Sequence, residues 1–203
     1  MSILATPVAA ETVTIAALGD SLTQGYGLAP EDGFVPQLQN WLNDQGAEVT
    51  LVNSGVSGDT TAGGLSRIDW TLTPDIDGII ISLGGNDVLR GLTPEQAKEN
   101  IDGILTRVNE RGLPALLVGI DAPSNFGPEY EANFEALYPE LAAKHGSLLF
   151  PNILEGLTSI EDRAMVMREH MQRDGLHPDA SGVRLVVEAI GPSVLELLDR
   201  VKQ

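Results

Sequence analysis

Short apolar runs separated by longer stretches of helical periodicity constrain this chain more than any other feature. The runs are "TVTIAAL" from Thr12, "EVTLVN" from Glu48, "GIIISL" from Gly78, "ALLVGI" from Ala115 and "SLLF" from Ser147. Most of these read as continuous apolar runs, as burial on both faces requires, whereas a half-exposed strand alternates. Such strands interleaved with helices predict a parallel sheet, and right-handed crossovers would turn it into a three-layer α/β/α sandwich of about five strands. Among the helical stretches, 93–112 is the clearest, with Thr93 as N-cap, Pro94 in the first turn and Gly112 closing it. Its Ala97, Ile101, Ile104, Leu105 and Val108 fall on one face. The final stretch from Ala180 is also helical, and Gly191-Pro192 is expected to interrupt or kink it.

At 203 residues the chain can bury one sizeable core, and no shift in composition marks a second domain, so residues 11–203 read as one domain. The start, "MSILATPVAAETV", places Val8, Ala9 and Ala10 before Glu11. This resembles the cleavage end of a secretory signal without its charged and long apolar parts. Residues 1–10 therefore read as a signal-peptide remnant, implying a periplasmic or secreted protein, or else as a disordered tail that leaves a cytoplasmic location open.

Twelve basic against twenty-nine acidic residues give a net charge of −17, which repels nucleic acid and anionic membrane surfaces. No apolar run approaches the length of a membrane span, so stable membrane insertion is not expected. With no cysteine, disulfides, thiolate metal sites and cysteine nucleophiles are excluded together.

In open α/β sheets, ligands gather at the carboxyl ends of the strands. Those ends read "GDSLTQG", "SGVSGDTTAGG", "GGNDVLRG" and "DAPSNFGPEY", and the segment after the fifth strand leads to "DGLHPDASG". Ser21 offers a hydroxyl, which needs a base before it can act as a nucleophile. Of three histidines, His145 lies at a helix end, where the dipole accounts for it, and His170 sits in a charged segment expected to be solvated. His177 has Asp174 three residues before it and Pro178 after it, with Gly175 allowing a tight turn. That turn can bring the Asp174 carboxylate to one ring nitrogen; equally, Asp174 and Asp179 suit turn formation and helix capping.

Acyl transfer also needs donors for an oxyanion, and the Ser21 and Gly58 amides and the Asn86 side chain are candidates; equally, Asn86 suits an Asx turn and Gly58 a helix start. Asp20, Asp59 and Asp87 read as caps and loop supports, while Arg67 and Arg90 suit contact with those acids or the substrate, and surface pairing suits them at least as well. Phe126, Tyr130, Met165 and Met167 are candidates for the pocket wall, and core packing suits them equally.

The blocks "GDSLTQG", "SGDT", "GGND" and "DGLHP" resemble, in order and spacing, the four motif blocks of the SGNH (GDSL) hydrolases. The likeness is strongest to the bacterial periplasmic arylesterase branch, which includes thioesterases and lysophospholipases. This resemblance implies a flavodoxin-like fold and a serine esterase with a small-molecule ester substrate and no cofactor or metal. Short-chain acyl and aryl esters are favoured, with thioesters and lysophospholipids as alternatives. It implies Ser21 as nucleophile, His177 as base and Asp174 as its orienter, with Ser21, Gly58 and Asn86 as the oxyanion hole. Two other readings are a metal-dependent phosphoesterase, which needs several convergent histidines and carboxylates, and a non-catalytic binding module on the same fold.

Overall fold

The computed structural model describes residues 12–122 and 124–203, so residues 1–10, read above as a signal remnant or tail, lie outside it. Five strands form one parallel sheet: β1 (Val13–Gly19), β2 (Val49–Gly55), β3 (Gly78–Ser82), β4 (Ala115–Val118) and β5 (Leu148–Phe150). Their order is β2-β1-β3-β4-β5, so the chain reverses direction across the sheet between β1 and β3. Strands running one way from β1 and then the other leave a crevice at their shared carboxyl end.

Side chains of β1 alternate between two cores because successive residues point to opposite faces. Ile15 and Ala17 join one core with α2 (Phe34–Asp44) and α9 (Ala180–Val201). Ala16 and Leu18 join the other with α3 (Thr61–Thr71), α5 (Pro94–Glu110) and α6 (Pro128–His145). The short α1 (Ser21–Gln24) and α4 (Gly85–Leu89) follow β1 and β3, and α7 (Glu155–Thr158) and α8 (Arg163–Glu169) lie between β5 and α9.

The α5 prediction holds closely. Thr93 and Gln96 form a reciprocal capping box, and all five predicted apolar residues are fully buried. Two expectations need correction. The edge strand β2 is not buried on both faces, since Val52 is 38% exposed. Its outer edge is instead met by Gln39 of α2, whose amide donates to the Val49 carbonyl (2.9 Å) and accepts from the Leu51 amide (2.8 Å). The last helix is not interrupted at Pro192, and Gly191 beside it lies against the Trp41 ring, where a Cβ would clash at 2.6 Å.

Candidate active site

Three strand ends and one loop assemble the site. Where β1 ends, the Asp20 carboxylate accepts from the Leu22 amide (3.1 Å) and caps α1, which begins at Ser21. Where β3 ends, Gly84 adopts φ 130°, and a Cβ there would meet the Tyr138 hydroxyl at 2.2 Å. Glycine is therefore required both by conformation and by space. That hydroxyl donates to the Leu83 carbonyl (3.0 Å), fixing the turn that presents Asn86.

The loop between α8 and α9 turns at Gly175 (φ 65°). Within it, one oxygen of Asp174 accepts from the Leu176 (2.9 Å) and His177 (3.0 Å) amides. The other lies 2.7 Å from His177 Nδ1, and His177 Nε2 lies 2.8 Å from Ser21 Oγ. The turn that Asp174 forms and its contact with the imidazole are thus made by one carboxylate. Hydrogen bonds from the His177 ring and from these two amides hold the Asp174 carboxyl down at about 2. It is therefore an acceptor only, so Nδ1 carries the proton and a neutral ring leaves Nε2 free to accept from the Ser21 hydroxyl. Tyr26 covers the imidazole from outside, with ring centroids 4.9 Å apart.

Surrounding groups hold the loops in place. Arg67 pairs with Asp59 (2.7 Å) and donates to the Ser54 (2.7 Å) and Gly19 (3.0 Å) carbonyls, tying together the ends of β1 and β2. Arg90 donates to the Gly58 carbonyl (2.6 Å). Asp87, fully buried, accepts from the Thr61 amide (2.8 Å) and hydroxyl (2.6 Å), joining the β3 turn to α3. Asp20 is also buried, which raises its carboxyl above the ordinary range despite the Leu22 hydrogen bond, and it accepts from Asn86 Nδ2 (3.3 Å). These are the supporting roles expected of the three aspartates. Among the described residues, neither the Ser21 nor the Gly58 amide donates to a protein acceptor.

Ser21, Asn86 and His177 line one cavity of about 340 Å³. Its apolar wall comes from Leu22, Val88, Leu89, Ile120, Ile153 and Leu154. None of Phe126, Tyr130, Met165 and Met167 lines it. Phe126 and Tyr130 instead begin an aromatic ladder that continues through Phe134 and Tyr138. Met167 is half exposed. The wall residues missed by sequence reasoning stand beside the motif residues or directly after β4 and β5, and that adjacency was the available signal.

The other histidines are placed differently. His170 is half-buried rather than solvated, because its Nδ1 sits 2.7 Å from the Ser181 hydroxyl. His145, at the last turn of α6, lies 2.6 Å from Asp102 and thereby joins α6 to α5. Among the described residues, no group of three or more histidine or acidic side chains is arranged to hold a metal ion.

The model of the GDSL-like lipase/acylhydrolase family matches residues 17–185, which spans all four motif blocks. The chain belongs to that family. It is 35% identical over 197 residues to esterase TesA of Pseudomonas aeruginosa, covering 97% of this chain and 94% of that protein. It is 33% identical over 184 residues to an arylesterase of Vibrio mimicus, covering 89% and 88% of the two chains. Among solved structures, the SGNH-hydrolase family esterase AlinE4 superposes with a TM-score of 0.75 at 41% identity, covering 94% of this chain and 99% of that one. The family's parallel five-stranded α/β fold is the one seen here. No described helix of this GDSL hydrolase is long and apolar enough to cross a membrane.

Proposed function

We propose that this GDSL-family hydrolase cleaves carboxylic esters, short-chain acyl and aryl esters foremost, through an acyl-enzyme on Ser21. The observation that carries this reading is the unbroken hydrogen-bonded sequence from Asp174 through His177 to Ser21, opening into an apolar cavity. His177 Nε2 takes the Ser21 proton as Oγ attacks the ester carbonyl. The resulting oxyanion is met by the Ser21 and Gly58 amides and by an Asn86 N–H; Nδ2 has two hydrogens, and one is left when the other faces Asp20. As the tetrahedral species collapses, the C–O bond to the leaving group breaks and the departing alkoxide takes the proton from His177. Water then repeats the sequence on the acyl-enzyme, His177 removing its proton and returning one to Ser21. Asp174 stays ionised throughout and stabilises the imidazolium.

A cavity of about 340 Å³ is at the small end for ligand pockets, which favours short acyl chains or a single aryl ring. The relationship to an arylesterase supports the same class. Profiles of kcat/KM against acyl length, on matched ester and thioester series, test this directly. A maximum at short acyl esters is expected; a maximum on long-chain thioesters would make the protein a thioesterase using the same site.

A further inference from the structure

The cavity wall contains one polar pair that the proposed chemistry does not use. Asp121 follows β4 and Asn152 follows β5, and both face the cavity that Ser21 and His177 share. Asn152 is buried, its Oδ1 accepts from the Leu154 amide (2.9 Å), and its Nδ2 donates to Asp121 Oδ2. The asparagine is thereby committed on both sides, and it fixes the Asp121 carboxylate at the wall. Among the described residues, no donor reaches the other oxygen, Asp121 Oδ1.

Among the described residues, no lysine or arginine lines the cavity, and the chain as a whole carries a charge of −17. A second carboxyl feels the Asp121 charge: Glu135 is raised above its ordinary range, first by burial and then by Asp121. An apolar cavity with a fixed carboxylate and no cation to offset it has a negative potential at one wall. β1 and β4 are separated by β3, so that wall stands roughly 10 Å from the Ser21 end of β1, two strand spacings away. A substituent attached to the reacting carbonyl can span this distance.

We propose that Asp121, held by Asn152, makes the pocket select its substrates by charge: it accepts neutral substituents and those ending in a hydrogen-bond donor or ammonium group, and it rejects those ending in a carboxylate. This inference rests on the ester-hydrolase reading above and names the substrate class of that site. Asp121 is exposed on its outer side, so water screens it and the discrimination is smaller than for a fully buried charge.

The test uses three p-nitrophenyl esters with one leaving group and acyl chains of similar length, ending in a methyl, a carboxylate or an ammonium group. The neutral-to-anionic ratio of kcat/KM is measured for the parent and for Asp121→Asn and Asp121→Lys; a ratio within one protein cancels any general loss of folding or activity. A parental ratio on the order of 10- to 100-fold is expected, consistent with a partly screened charge pair. It should fall about tenfold in Asp121→Asn and invert in Asp121→Lys, while the ammonium ester shows the opposite trend. Raising salt should shrink the ratio of the unmodified enzyme. A ratio unmoved by either substitution and by salt would overturn the charge selection while leaving Ser21-dependent hydrolysis of the neutral ester intact. Failure to hydrolyse any of the three esters would overturn both.

Discussion

The two sides of the cavity are built by different means. On the side of β1 and the α8–α9 loop, short-range contacts set each polar group, Asp20 capping the helix that starts at Ser21 and Asp174 bonding to His177 three residues on, and the His177–Ser21 contact joins the two segments. On the side of β4 and β5, the wall is made of Ile120, Ile153 and Leu154 with the Asp121–Asn152 pair, brought together from separate elements. On the proposed reading, reactivity rests on the first side and selectivity on the second.

Changes on the first side should cost orders of magnitude in rate. Ser21→Ala should lower kcat on the order of 10⁶-fold in a steady-state ester assay, with the fold unchanged by circular dichroism. Asp174→Asn should cost on the order of 10⁴-fold, because the ring would lose the partner that fixes its tautomer. With Asp174 held at about 2, it stays charged across the working range, so log kcat/KM should rise with pH along a slope of one from pH 3 upward. A slope of two would mean that a second group titrates in the same range. The same depressed value sets the sign for stability: what Asp174 contributes is complete above about pH 4 and is lost as pH falls through about 2. Asn86→Ala should cost roughly 10²- to 10³-fold in kcat if its amide meets the oxyanion.

Changes on the second side should move preference more than rate. Ile153→Ala should shift the best acyl length upward by one or two carbons and change relative kcat/KM by roughly 10-fold, the scale of one or two methylenes in an apolar pocket. An unchanged acyl profile would place the acyl chain elsewhere in the cavity.

This division also governs what could be read in the sequence. The strands and α5 were legible because continuous apolar runs and a Thr93–Gln96 cap have few structural alternatives. The grouping of Ser21, His177 and Asp174 was legible through the likeness of the four motif blocks to the SGNH hydrolases, because the residues alone suited Asp174 equally to turn formation and to orienting the ring. The wall was not: Phe126 and Tyr130 carry the helical spacing that suits either a pocket or a core, and the fold placed them in the α6 ladder. Local pattern also failed at two positions. Pro192 does not interrupt α9, whose Gly191 lies against Trp41, and His170 is half-buried beside Ser181.

The central claim is that Ser21 is a nucleophile activated by His177. It is tested most directly by reacting the protein with a fluorophosphonate and locating the adduct by peptide mass spectrometry. One adduct per chain on Ser21 is predicted, absent in Ser21→Ala and formed orders of magnitude more slowly in His177→Ala. An adduct on another residue, or labelling of Ser21 at the parental rate without His177, would contradict the account.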